Sequence, residues 1–524
     1  MQSPERPTPT YSPSVKRSIP SAIALEDGRS EKLTAIQTTS TAISRDTAAS
    51  PRTRTRLASA FFAYFVLGWG DGVTGTLLPH FKSDLQLSFV LSSLFWVASA
   101  SGYAIGTIVV EHVTRILGRT CFHTNRPPSV FPLRFKRTSV SPEIESSRVA
   151  FSQSRSRFFT MVLASVFHGL FFVIMGSKRG FASMMIAYVI SAFARSFISG
   201  TPRDVSYTNV YVPSISKRGL GIMYGCYSFG GFAAPLVCQS VIATGIRWAN
   251  FYFGSLVLTA LNTSFILYAF WPTKRELTAD AELALKLYNS APIESDTTSV
   301  ADTAQPSPTH STVPVLRKKA ALGPRTYTSA IRNLQMWANA LFALIYTGSE
   351  GATQGFIVVY LLAARDANPK TVGYVTSGFW GGMALSRFLW GYLGGFITFR
   401  QRKWIVQGCI FLSVIAFTMH LCILLVPSLV ENAVSTAIVG TVYGPIFPSN
   451  IAVARDLLPA EMHLVSLAIV AACASLGAAV FPFIAGLLST TVNARTLPYL
   501  TIAQTVTMFC IWFLFPSRPP AHQI

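Results

Sequence analysis

Four charged side chains stand inside stretches otherwise apolar enough to cross a bilayer: Asp71, Arg195, Glu350 and Arg387. A charge near the bilayer centre costs at least ~2.5–3.5 kcal/mol on insertion scales. Such groups face a water-filled gap or one another, so they are where chemistry is expected. Asp71 follows Gly68-Trp69-Gly70 and precedes Gly72, glycines that permit close backbone approach or local unwinding. Its carboxylate could bind a proton reversibly or accept hydrogen bonds from a polar solute. Thr74 lies one turn on, on the same face. Glu350 shares a helical stripe with Tyr346, Thr347, Thr353 and Gln354. A lipid-facing helix would not carry that stripe; it should line a cavity or pack on another helix. The competing reading of each acid is structural: Asp71 satisfied by Arg195 or by backbone, Glu350 by interhelical hydrogen bonds. Arg195 could neutralise Asp71 or hold an anionic solute. Arg387, nearer one end of its stretch, suits a gating or structural ion pair.

The elements that must position these residues are membrane helices. A span takes ~20 apolar residues to cover ~30 Å of hydrocarbon. Runs of that length are expected at 57–79, 88–111, 158–176, 181–200, 220–243, 251–271, 333–362, 373–396, 405–426, 433–453, 464–487 and 497–515. Of 43 Lys and Arg, 34 fall in the tail and the segments after even-numbered spans, and 7 on the opposite side. The positive-inside rule then places both termini in the cytoplasm. The fold class expected is an all-α polytopic membrane protein, 12 helices in two pseudo-symmetric six-helix bundles. Only 12% of the residues are charged, about half the share in a soluble protein. The net charge of +21 sits beside spans, which argues for topology and lipid headgroups and against nucleic acid.

The expected domains are a disordered cytoplasmic tail (1–56), an N-terminal bundle (57–271), a cytoplasmic linker (272–332) with a short helix near Ala279–Tyr288, a C-terminal bundle (333–516) and a tail (517–524). The polar first 56 residues hold no cleavable signal peptide, so span one is expected to direct insertion. Six of seven cysteines lie in spans and none forms a Cys-x-x-Cys pair, so neither disulfides nor zinc are expected. No phosphate loop, HExxH or triad pattern is present. The chain is expected to be no enzyme and to use no cofactor. His168 and His420 read as packing residues.

The halves echo one another. Asp71-Gly72-Val73-Thr74-Gly75 matches Glu350-Gly351-Ala352-Thr353-Gln354-Gly355, Phe95-Trp96 matches Phe379-Trp380, and Ser228 to Pro235 matches Ser475 to Pro482. The matches pair spans one with seven, two with eight and five with eleven, as parallel repeats would. The segment 120–157 has no counterpart. It is either a real cytoplasmic insertion or a translated intron, and the second is preferred.

Six plus six spans around a cytoplasmic loop resemble the major facilitator superfamily. Gly68 through Pro79, Gly245-Ile246-Arg247-Trp248, Gly373 through Gly382 and Gly444 through Pro448 resemble its fungal "bypass of stop codon" branch, distantly similar to fucose-type proton/sugar symporters. The resemblance implies alternating access, usually proton-driven, with Asp71 at the position of a first-span carboxylate that handles substrate or proton. Those relatives also use an acid in span four, where this chain has Arg195. The superfamily's loop after span two carries an Asp-Arg pair, then Gly and a basic residue. Here Thr114-Arg115 and Gly118-Arg119 stand in its place without the acid, which makes Arg115, Gly118 and Arg119 gating candidates.

Two functions are weighed. One is a secondary transporter of a small polar solute, sugar-like by preference and proton-coupled, working as a monomer in the plasma membrane rather than the vacuole. The other is a transporter-like nutrient sensor without net flux.

Overall fold

The structure is a computed structural model. It describes residues 51–122, 130, 148–199, 219–289, 331–394, 396–398, 400, 401, 404, 418, 420–459 and 462–516. The tails, the centre of the insertion, 290–330 of the linker and 405–417 of expected span nine lie outside the described residues. Thr55–Ile524 forms one compact unit; Met1–Arg54 forms another, of which only 51–54 are described.

Apolar runs become helices because hydrocarbon offers the backbone no other hydrogen-bond partner. Expected span one is α1 (Pro51–Gly72) and α2 (Thr74–Leu85), separated by Val73. Spans two to six are α3 (Phe89–Gly118), α4 (Gln153–Ser177), α5 (Phe181–Ser199), α6 (Gly219–Ala243) and α7 (Trp248–Phe270). Helix α8 (Lys274–Asn289) opens the linker. Spans seven and eight are α9 (Leu334–Arg365) and α10 (Tyr374–Leu393). Span ten breaks into α11 (Leu429–Tyr443) and α12 (Ile446–Leu457), because Pro445 lacks an N–H to continue the ladder. Spans eleven and twelve are α13 (His463–Thr491) and α14 (Leu497–Phe513). Among the described residues eight helical segments are long and apolar enough to cross a membrane, with α11 and α12 counted together as Leu429–Leu457. Expected spans one, seven and eight fall outside that set, and these carry Asp71, Glu350 and Arg387.

The all-α expectation holds but for one short ladder. Strands β1 (Arg119–Phe122) and β2 (Arg148–Phe151) pair antiparallel, Arg119 opposite Phe151. The Ser152 N–H donates to Gly118 O at 2.9 Å, so the two ends of the anomalous segment are tied together. Its expected boundary at 157 is too late: Ser152 caps α4 by accepting from Arg155 N at 3.3 Å, and Gln153 to Arg157 form the first turn. Helix α8, longer than the expected 279–288, locks onto the same end. Asp280 accepts from Ser152 Oγ (2.6 Å) and Ser154 N (3.0 Å), and Glu276 pairs with Arg56 at 2.6 Å. Burial alone would raise the Glu276 carboxyl, but hydrogen bonds from Arg56 and Thr273 outweigh it and pull the group down to about 2.

The two ends of the bundle differ. The end bearing the insertion and the linker is the basic end; the other is charge-poor. Toward the charge-poor end one apolar core spans both bundles, joining Val73, Leu77, Phe81 and Phe95 to Ala352, Phe356, Tyr360 and Ala485. Polar bonds seal the same end: Thr76 Oγ1 to Gly373 O (3.3 Å), Gln239 Nε2 to Pro369 O (3.0 Å) and Val90 N to Thr490 Oγ1 (3.2 Å). Gly75 abuts span seven so closely that a Cβ would lie 1.9 Å from Gln354 O. Toward the basic end the cores are separate, one around Tyr64, Phe158 and Phe197, another around Met336, Ala343 and Ala454. There the bundles still meet along α6 and α10, where Gly221 touches Gly391.

Candidate functional site

A cavity of about 280 Å³ opens where the shared core ends. Its walls run from Thr74, Trp96 and Gln354 beside that core to Tyr64, Ser199 and Ala471 nearer the basic end. The four intramembrane charges all line it.

They form two ion pairs. On the N-terminal side the Arg195 guanidinium donates directly to the Asp71 carboxylate, which also accepts from Tyr227 Oη at 2.7 Å. Arg195 is held further by Ser99 Oγ (3.3 Å) and by the Tyr103 ring, 5.7 Å away. Across the cavity Arg387 Nη2 lies 3.7 Å from Glu350 Oε1, a contact through charge rather than a hydrogen bond. The Arg387 donors go elsewhere, Nη1 to Ser228 Oγ at 2.6 Å and Nε to Gly444 O at 3.4 Å. Arg387 therefore ties α10 of one bundle to α6 of the other beside the cavity. Neighbours on α6 serve both pairs, Tyr227 bonding Asp71 and Ser228 bonding Arg387.

Each expected site residue now has a place. Thr74 lines the cavity and its hydroxyl meets Tyr188 Oη at 3.0 Å. On α9 the cavity stripe is Thr347, Glu350, Gly351 and Gln354. Tyr346 and Thr353 do not belong to it, contrary to the sequence expectation. They sit one residue, or ~100° of helical rotation, off the stripe and point into the C-terminal bundle, both buried. Tyr346 Oη donates to Tyr443 O at 2.9 Å while lying against Glu350 and Arg387, so it supports the site from behind. Of the gating candidates Arg387 lines the cavity, while Arg115, Gly118 and Arg119 do not. Arg115 pairs on the surface with Glu111, four residues back on its own helix, so a partner acid exists upstream of the place where it was sought. Gly118 makes room for the Phe151 ring and Arg119 begins β1.

The sequence reading passed over the aromatic walls. Trp96 lies over Gly355 of span seven, and Trp380 over Gly231 of span five. A Cβ at either glycine would lie within 2.7 Å of the indole, so each tryptophan fills a notch that only glycine leaves. The repeated Phe-Trp pair was the available signal, since it recurs where the halves match.

Residues 339–524 match the model of the Major Facilitator Superfamily. Over 313 residues the chain is 24% identical to Bypass of stop codon protein 6 of Saccharomyces cerevisiae. That match covers 58% of this chain and 59% of the yeast protein, so the chain spans less than two thirds of this relative's length. The fold also matches a bacterial homologue of the human lysosomal transporter Spinster, solved inward-facing and unoccupied, with a TM-score of 0.55 at 13% identity over 89% of this chain and 97% of that one. The chain is thus a multi-pass integral membrane protein whose C-terminal part, 339–524, matches the major facilitator superfamily and whose fold is that of the bacterial Spinster homologue. The resemblance to the superfamily and to its "bypass of stop codon" branch agrees with these matches.

Proposed function

We propose that the chain is a secondary transporter that moves a small, polar, uncharged solute by alternating access, coupled to protons. The observation that carries this reading is a cavity lined by two carboxylates and two guanidiniums, each acid facing its own arginine. Charge is balanced there, so a solute with net charge gains no unpaired partner among the described lining residues. Tyr, Trp, Ser, Thr and Gln supply stacking faces and hydrogen bonds, the mixture that suits a sugar-like molecule. The positive-inside rule places the basic end in the cytoplasm. The shared core then closes the outer end, and this arrangement is the inward-facing member of a pair. Reversible protonation of an intramembrane acid would change the relative energy of the two states and so drive transport.

Uptake of labelled neutral sugars, amino acids and organic acids by proteoliposomes, with and without a pH gradient, tests this. Gradient-dependent accumulation of a neutral solute, abolished by Asp71→Asn, is the expected outcome. Binding of a solute without flux would replace the transporter by the sensor.

A further inference from the structure

The internal repeat aligns Asp71 with Glu350, yet the structure surrounds the two acids differently. Asp71 is held closely at Oδ2, by a guanidinium in direct contact and a tyrosine hydroxyl at 2.7 Å. Glu350 has no guanidinium in direct contact: the nearest such nitrogen is 3.7 Å away, on an arginine committed to Ser228 and Gly444, and the Tyr346 hydroxyl lies beside the carboxylate. The surroundings differ one residue earlier as well. Where the N-terminal half has Gly70, the C-terminal half has Ser349. Ser349 Oγ bonds Tyr443 Oη at 2.7 Å; Tyr443 Oη in turn meets Thr505 Oγ1 (3.4 Å) and His420 Nε2 (3.5 Å), and His420 Nδ1 meets Thr501 Oγ1 at 3.1 Å. A buried polar chain thus joins spans seven, nine, ten and twelve and ends at the residue preceding Glu350. In the N-terminal half, His168 occupies the third span but its Nε2 is buried beside Gly70 with no hydrogen-bond partner.

We infer that the two acids divide the labour: Glu350 takes up and releases the driving proton, while Asp71 stays ionised on Arg195 and anchors the solute. This rests on the proton-coupled transporter reading above. The step is a proton transfer. A Glu350 oxygen facing the cavity accepts a proton that enters from the bulk as hydronium and leaves water behind, and the carboxylate becomes a carboxylic acid. Arg387 loses its counter-charge and keeps Ser228 and the Gly444 carbonyl, so it turns from an ion-pair member into the tie between α10 and α6. The charged and titratable groups around Glu350 are Tyr346 on its own helix, Tyr227 on α6, Arg387 on α10 and Tyr443 on α11. Asp71 faces Arg195, Tyr227, Tyr188 and His168.

The test needs no solute. Full-length protein in liposomes is examined by pH-difference infrared spectroscopy for the carbonyl stretch of a protonated, desolvated carboxyl. The wild type is expected to show a band that grows on acidification. Glu350→Gln should lose it and Asp71→Asn should keep it, with Glu350→Asp as the conservative control that retains a band. Loss in Asp71→Asn with retention in Glu350→Gln overturns the assignment, as does a band untouched by both. A wild type without any such band also overturns it, while leaving the uptake test of the transporter reading to stand alone.

Discussion

Asp71 and Arg195 bury opposite charges that compensate each other, so removing one should harm more than removing both. Asp71→Asn leaves a guanidinium in a low-dielectric wall, a change that typically costs ~3–5 kcal/mol in a buried pair. The pair's side chains are 21% and 27% exposed, so the lower part of that range or less applies. Thermal unfolding in detergent is expected to show Asp71→Asn clearly less stable than wild type, and Asp71→Asn with Arg195→Gln partly restored but inactive in uptake. A double variant no more stable than the single one would mean the pair does not carry the charge balance. Much at this scale was legible beforehand. Four charges in apolar runs had to meet a cavity or each other, and they do both. The pairing of Glu350 with Arg387 rather than with a span-ten residue was not legible, since it depends on how span eight crosses span seven. Neither was the choice between Tyr346 and Thr347, because adjacent residues on one helix differ only by which neighbour they happen to face.

Among elements, the contact between α2 and α9 is the narrowest point of the seal. Gly75→Val would drive a Cβ toward Gln354 O, which a real side chain cannot approach at 1.9 Å. The two helices must then part at the charge-poor end. A cysteine introduced at Thr76, buried in wild type, is expected to react with a membrane-impermeant maleimide from outside far faster in the Gly75→Val background. Equal labelling rates would show that this contact does not hold the seal. At the opposite end α8 hangs on Glu276 and Asp280. The folded Glu276 carboxyl titrates below its ordinary range, so its contribution is full above the ordinary glutamate value and fades as pH falls toward about 2. Hydrogen exchange of the α8 amides, relative to the intrinsic rate, should therefore stay slow above the ordinary glutamate value and quicken steadily as pH falls from there toward about 2. In Glu276→Gln it should be fast at neutral pH already. The sequence showed most elements through their length and apolar content, and missed three features. The Gly444-Pro445 break lies inside an apolar run, the α4 start is polar, and the β1–β2 tie depends on residues 26 to 32 positions apart.

The described residues form two helical halves that share a core at one end and keep separate cores at the other, where they meet along α6 and α10. The duplication was legible from three short matches in order, because parallel repeats keep their sequence of motifs. Which end is closed was not legible, since both states use the same helices and differ only in how the halves lean. The account's central claim is that this lean reverses. Spin labels at Ser83→Cys and Lys370→Cys, on exposed positions of the two halves at the charge-poor end, report it by pulsed electron–electron distance measurement in nanodiscs. One short distance at neutral pH is expected, joined by a longer one on acidification or on adding a transported solute. A single distance that neither protons nor solute moves would contradict the account.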